Sequence, residues 1–162
     1  VHMPKAVDFA LAMSAFFAGL DTAKAVGLCE ALKLSNATLK HIRFLLEYRG
    51  VICDAPLSLS RLKLLMHEPY FDNLCVLQRA LLKSQGQSLR PLTLLKKRAA
   101  VIDPTAIHPK PLLDGHMLIA LGATPGPMVG RLARELYIAQ LEDRLQTAEQ
   151  ARQWATDWLA LH

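Results

Sequence analysis

The sequence has few aromatic residues and few cysteines. Aromatic side chains make up 6% of the 162 residues, whereas leucine and alanine are abundant, and this balance favours helices over strands. The three cysteines, Cys29, Cys53 and Cys75, are far apart and form no Cys-x-x-Cys pair, which gives no support to a zinc or redox motif. We expect them to be small buried apolar side chains in a protein of a reducing compartment.

Long apolar runs are also missing. The longest, Phe9 to Leu20, has 12 residues, well below the roughly 20 that a bilayer-spanning helix requires. No basic segment leads into this run and Asp8 stands at its start, so it does not read as a signal peptide. We therefore expect a cytoplasmic protein with no membrane partner, and the 52% of apolar residues excludes a disordered chain.

The motifs of the common enzyme classes are absent as well. The chain contains no Walker loop, no Gly-x-Gly-x-x-Gly, no Gly-x-Ser-x-Gly and no His-Glu-x-x-His. It has no Asp-x-Asp pair to hold two magnesium ions for nucleotidyl transfer, and no His-Asp pair as in metal-dependent phosphohydrolases of the HD type. The six histidines are scattered. The sequence thus predicts neither a catalytic residue nor a metal ligand in this chain.

What is present is a helical pattern with start and stop signals. Apolar residues recur three or four positions apart, and no alternating strand pattern or internal repeat occurs. Ser35 or Asn36 can cap one helix, Gly50 can end it in a left-handed conformation, and Thr147 with Gln150 forms a capping box. We predict an all-α protein of about seven or eight helices.

Proline positions suggest how the helices are grouped. Three closely spaced prolines predict an extended connector over residues 101–111. A helical body, residues 4–100, precedes it, and a C-terminal helical subdomain, residues 112–162, follows it. Residues 1–3 look like a cloning remnant and are excluded from the fold.

The positive charge of the chain is concentrated in one segment. The net charge is +5, from 19 Lys and Arg against 14 Asp and Glu. Between Arg79 and Lys110 seven basic residues stand against one acidic residue, whereas the rest of the chain has twelve against thirteen. Such a block can neutralise the phosphates of a nucleic acid, and a solvated basic face is the alternative. Aromatic residues are not interleaved with the cations, so we do not expect base stacking there.

A glycine- and proline-rich turn is the second candidate. The pattern Leu121-Gly122-x-x-Pro125-Gly126-Pro127-x-x-Gly130 resembles a helix–hairpin–helix turn. Glycines allow a close backbone approach, and the next helix presents unpaired N–H groups to a phosphate, with Arg131 adding charge. A tight connector, in which Gly126 and Gly130 merely permit close helix packing, is the alternative.

The last third of the chain also carries a longer pattern. Leu113-Asp114-Gly115-His116-Met117-Leu118-Ile119-Ala120-Leu121-Gly122 leads into Pro125-Gly126-Pro127-Met128-Val129-Gly130, and then come Arg131-Leu132, Ala139-Gln140-Leu141-Glu142 and Thr147-Ala148-Glu149-Gln150-Ala151. This run resembles the C-terminal part of the class II tRNA nucleotidyltransferases (CCA-adding enzymes) and of the related bacterial poly(A) polymerases. Upstream, Leu32-Lys33-Leu34-Ser35-Asn36 resembles the Leu-Arg-Leu-Ser-Asn segment of the same family.

The resemblance spans Phe9 to Leu161 and implies a function. It implies a helical body and tail that bind tRNA or another RNA and position its 3′ end. In that family nucleotides are added by an N-terminal catalytic head with paired carboxylates, which would use Mg²⁺ and ATP or CTP; this chain lacks such residues and looks like a C-terminal fragment. Met117 stands where the family has an acidic residue, and Ser14-Ala15-Phe16-Phe17 offers no HD-type ligands.

These arguments combine into one hypothesis with two alternatives. We expect the chain to catalyse nothing by itself and to contact RNA phosphates through eight residues: Arg90, Lys96, Lys97, Arg98, Lys110, Gly126, Gly130 and Arg131. The first alternative is a structural module that forms a homodimer or packs on the catalytic head. The second is a degenerate HD-type phosphohydrolase.

Overall fold

The computed structural model describes residues 8–54 and 57–161, and these residues fold entirely into helices and loops. The all-α prediction is confirmed. The helices are α1 (Phe9–Phe16), α2 (Thr22–Ala31), α3 (Asn36–Tyr48), α4 (Val51–Asp54), α5 (Leu59–His67), α6 (Phe71–Ser84), α7 (Arg90–Ala100), α8 (Gly115–Ala120), α9 (Pro127–Leu141) and α10 (Ala148–Leu161). The single-turn α4 and the six-residue α8 are short pieces that the sequence pattern does not resolve as separate helices.

Short polar side chains begin several of these helices, as their local chemistry predicts. Asp21 caps α2 and Ser35 caps α3, each by accepting a backbone N–H from the first turn. In α10 the capping box is present, since Thr147 Oγ1 accepts the Gln150 N–H and Gln150 Oε1 accepts the Thr147 N–H. Gly50 has φ 87, the left-handed conformation expected after α3.

The proline-rich connector differs from a purely extended segment. Pro104–Ala106 form one turn of 3₁₀ helix. The Asp103 carboxylate accepts both the backbone N–H and the hydroxyl of Thr105, and these two bonds fold the chain back at this point and lower the pKa of Asp103.

The chain forms two compact units. The first contains the described residues up to 57 together with Glu68–Val101. Its apolar centre joins α1, α2 and α3 through six buried side chains: Ala10, Phe17, Ala25, Cys29, Ile42 and Leu46. Helix α6 packs against α1, α3 and α7, and it buries Cys75 beside Leu74 and Leu77. Burial of Cys29 and Cys75 agrees with the sequence expectation, while the side chain of Cys53 lies outside the described residues.

The second unit contains Ser58–His67 and the described residues from 102 onward. Its core is formed by α8, α9 and α10 with their connecting turns, around ten buried side chains: Leu113, Leu118, Ala123, Leu132, Leu136, Ala139, Leu145, Ala151, Ala155 and Trp158. Trp158 is 6% exposed and Trp154 packs against the same cluster, as the helical spacing of the two tryptophans predicts.

Helix α5 belongs to this second unit, whereas the sequence-based division had placed residues 58–67 in the body. Two polar contacts attach it to the end of α9. Lys63 Nζ lies 2.8 Å from Asp143 Oδ1, and Ser60 Oγ donates to Glu142 Oε1 at 2.9 Å. The Lys63 side chain is only 3% exposed, so its ammonium group depends on that carboxylate. The contacts join residues about 80 positions apart, which no local pattern indicates.

We predict that Asp143→Asn destabilises the protein more than Lys63→Met. Asparagine keeps the left-handed conformation that Asp143 adopts at φ 59, so the substitution removes only the charge and leaves the buried ammonium group uncompensated. We expect a loss of about 2 kcal/mol in the free energy of unfolding for Asp143→Asn, and less than about 1 kcal/mol for Lys63→Met. Urea unfolding of both variants measures this difference, and equal losses would contradict the role given to the ion pair.

Candidate nucleic-acid interface

Helix α7 carries the predicted basic segment and orients it. Leu92 and Leu95 are buried, 4% and 5% exposed, and they hold one side of the helix against the first unit. Arg90, Lys96 and Lys97 are exposed. Among the described residues none of these three side chains takes part in a salt bridge, because the ion pairs use other cations. Their charges are therefore exposed and not neutralised by a direct ion pair.

The second half of α6 adds two more cations. Arg79 and Lys83 are exposed and lie four residues apart, so they share one side of the helix. Helix α6 packs directly against α7. We call Arg79, Lys83, Arg90, Lys96 and Lys97 the α6–α7 basic surface. No acidic residue occurs between Arg79 and Lys97, so this surface carries five positive charges over 19 residues.

The thiol of Cys75, which is buried on α6, is influenced by the charge of Lys96 on α7. Burial raises the pKa of Cys75 to about 11; the charge of Lys96 opposes that rise, and Asp72 adds to it. The pKa of Cys29 is also raised by burial. Both thiols therefore stay protonated at neutral pH, which is the unreactive form.

Arg98 differs from its neighbours in the predicted set. Its side chain is half-buried, and its guanidinium donates to the carbonyl oxygen of Leu57 at 2.8 Å. This contact fastens α7 to the segment that follows α4. The sequence placed Arg98 with Lys96 and Lys97 because the three are consecutive, but successive residues of a helix point in different directions. Arg98 therefore has a structural contact that the two lysines lack.

The glycine- and proline-rich turn lies in the second unit, between α8 and α9. Gly122 and Gly126 have φ values of 105 and 117, so the left-handed region explains why glycine stands at both positions. Pro127 is the first residue of α9, and no side chain caps that helix. Gly130 has ordinary helical geometry with open space beside it. The turn joins α8 to α9, and the open space beside Gly126 and Gly130 gives no support to the alternative in which they permit close helix packing.

Arg131 and Lys110, the other predicted contacts, also belong to the second unit. Arg131 is exposed, and its guanidinium carbon lies 5.1 Å from the centre of the Trp158 ring, a cation–π contact that limits its motion. Lys110 is exposed, and its carbonyl oxygen accepts a hydrogen bond from the buried Gln140 side chain at 2.8 Å. The eight predicted residues are thus divided equally between the units. Arg79 and Lys83, on the neighbouring helix α6, are exposed as well; the sequence prediction counted their charge but did not include them in the site.

Met117, the departure from the family pattern, lies on α8 and is 45% exposed. Its N–H is accepted by the Asp114 carboxylate at 2.9 Å, so Asp114 caps the short helix without help from position 117. Over residues 8–54 and 57–161, no group of three or more His, Cys, Asp or Glu side chains could hold a metal ion. Within the same ranges, every helix is too short or too polar to cross a membrane.

We predict that Arg98→Ala lowers the free energy of unfolding more than Lys97→Ala does. The first removes a charged donor from a half-buried carbonyl and should lower the free energy of unfolding by about 1–2 kcal/mol. The second removes an exposed side chain with no described partner and should change it by less than about 0.5 kcal/mol. Both substitutions remove one positive charge from α7, so urea unfolding of the two variants measures the contribution of the Leu57 contact. Equal stability of the pair would show that the Leu57 contact contributes nothing.

Comparison with known proteins identifies no relative of this chain. No family model, no curated protein and no solved structure matches it. The resemblance to the tRNA nucleotidyltransferases and poly(A) polymerases therefore stays a prediction.

Proposed function

We propose that this chain is an RNA-binding module that contacts phosphates through the α6–α7 basic surface. The observation that carries the proposal is the group of five exposed cations on two helices that pack together, none of which forms a salt bridge with another described residue. Releasing the counterions condensed on a nucleic acid favours binding to such a surface regardless of base sequence. Lys110 and Arg131, exposed in the second unit, are candidates for further phosphate contacts.

The expected contact is with the backbone rather than with bases. No aromatic residue occurs between Arg79 and Val101, so this surface offers no stacking platform. The choice of RNA, and of tRNA in particular, comes from the family resemblance. On that ground we propose that the chain positions an RNA 3′ end in the cytoplasm for a catalytic head, its partner, which would bind Mg²⁺ and ATP or CTP and carry out CCA addition or polyadenylation.

The test is the salt dependence of tRNA binding. We expect the logarithm of the association constant for unmodified tRNA to fall linearly with the logarithm of the salt concentration. Replacing Lys96 and Lys97 together by glutamine removes two phosphate contacts and should reduce the slope by about 1.5 to 2. Fluorescence anisotropy with labelled tRNA over a series of KCl concentrations measures both slopes.

A variant of equal net charge provides the control. Lys24 and Lys40 are exposed in the first unit and lie on α2 and α3, so they are not part of the α6–α7 basic surface. Replacing both by glutamine should leave the slope unchanged. A flat salt dependence in the unmodified protein, or equal losses in the two double variants, would show that the α6–α7 basic surface is not the phosphate contact.

A protein-binding role is the second candidate, and one observation favours it. Leu94 and Val101 are 60% and 84% exposed on or directly after α7, seven residues apart and hence on one side of the helix. Exposed apolar side chains in such an arrangement are typical of a packing surface for a partner, such as a second copy or a catalytic domain. Sedimentation velocity with and without tRNA separates the candidates, because a structural module would self-associate without RNA and fail to bind it.

A further inference from the structure

Asn73, near the start of α6, forms a hydrogen-bond bridge between two other elements of the first unit. Its side-chain nitrogen Nδ2 donates to Asp8 Oδ2 and lies 3.2 Å from His41 Nε2. Asp8 directly precedes α1, and His41 belongs to α3. One amide group therefore connects α1, α3 and α6, which pack against one another in this unit.

The Asp8 carboxylate fixes the orientation of the Asn73 amide. An ionised carboxylate only accepts hydrogen bonds, so the group that faces Asp8 is the amide nitrogen rather than the amide oxygen. Asp8 is itself held in place, because its Oδ1 accepts the backbone N–H of Leu11 at 2.8 Å and caps α1. One hydrogen of Asn73 Nδ2 is consequently directed at Asp8, and the other is available to His41.

The same amide nitrogen determines the proton state of His41. An amide nitrogen can only donate, so His41 Nε2 accepts, and the ring is neutral with its proton on Nδ1. Burial lowers the pKa of His41, and the charge of Asp8 opposes this only in part. A protonated ring would carry a hydrogen on Nε2 as well, and this N–H would point at the N–H of Asn73. The neutral imidazole and the Asn73 bridge thus require each other.

Asp8 is the charged group that acts on His41 from the neighbouring elements. Tyr70, directly before α6, stacks its ring on the imidazole, with the two centroids 4.0 Å apart. From α2, Glu30 pairs with Arg43, which lies two positions further along α3 and so does not share a side of the helix with His41. The remaining charged side chains of α2, α3 and α6 are exposed: Lys24, Lys40, Glu47, Asp72, Arg79 and Lys83.

We propose that Asp8, His41 and Asn73 form a proton-sensitive switch, in which a proton on His41 Nε2 displaces the Asn73 amide and makes Asp8 the partner of the imidazolium. The proton comes from solvent, through the pocket that Asp8 and His41 both line. In the neutral form Asp8 is bonded to Asn73 on α6, and in the protonated form it is bonded to His41 on α3. The carboxylate and the imidazole both lie within hydrogen-bond reach of one nitrogen atom, so side-chain rotations suffice for the exchange.

The switch makes the stability of the first unit depend on pH. In the unfolded chain His41 has no bridge and binds a proton more readily than in the folded chain. The stabilisation is therefore complete above the ordinary pKa of histidine, and it is lost as the pH falls through the lowered pKa of His41. The switch is independent of phosphate binding at the α6–α7 basic surface.

The tautomer of His41 in the full chain provides the first test. Long-range proton–nitrogen NMR spectra distinguish a ring proton on Nδ1 from one on Nε2. We expect the Nδ1–H form at neutral pH, and in a pH titration the signals of the His41 ring and of the Asn73 side-chain amide should move with one common midpoint, below the ordinary pKa of histidine. An Nε2–H tautomer, or an Asn73 amide that does not respond to protonation of His41, would overturn the proposal.

A pair of asparagine variants tests the bridge. Asn73→Ala removes the opposing donor and should raise the pKa of His41, because Asp8 is then free to pair with the imidazolium. Asn36→Ala replaces the other asparagine of the chain, at the exposed start of α3, and should leave the titration of His41 unchanged. An unchanged or lower pKa in folded Asn73→Ala would contradict the bridge, and the tautomer of the unmodified protein decides the question if that variant is unfolded.

Urea unfolding at about pH 7.5 and about pH 5.5 measures the consequence for the fold. On acidification the unmodified protein should lose more of its free energy of unfolding than Asn73→Ala does, because only the former has a bridge to break. Asn36→Ala should lose as much as the unmodified protein. Equal losses in all three proteins would show that protonation of His41 is not coupled to folding.

Discussion

The burial of Leu92 and Leu95 is the constraint on which the α6–α7 basic surface depends. These two residues hold one side of α7 against the first unit, and the helical period then leaves Arg90, Lys96 and Lys97 outside. An apolar stripe thus decides where the charge is presented. No acidic residue lies between Arg79 and Lys97 in the sequence, and none of these cations forms a salt bridge with another described residue, so their positive charges add.

The sequence predicts the helices well because their signals are local. Caps such as Ser35, the capping box at Thr147 and the left-handed Gly50 act over four residues or fewer, and each is present as expected. The grouping of the helices could not be predicted in the same way. Helix α5 joins the second unit through Lys63 and Ser60, whose partners lie about 80 positions further along the chain. From the sequence alone, a lysine on a helix is expected to be exposed to solvent, so the burial of Lys63 could not be predicted without its partner.

For the candidate sites, too, the sequence predicts features that depend on neighbouring residues but not contacts between distant ones. A count of charges finds the basic segment, but it assigns equal roles to Lys97 and Arg98, and only the fold shows that Arg98 donates to Leu57. A pocket between α1, α3 and the start of α6 could not be predicted from the sequence for a related reason. Its chemistry comes from Asp8, His41 and Tyr70, which are brought together by packing of α1, α3 and α6 and share no motif.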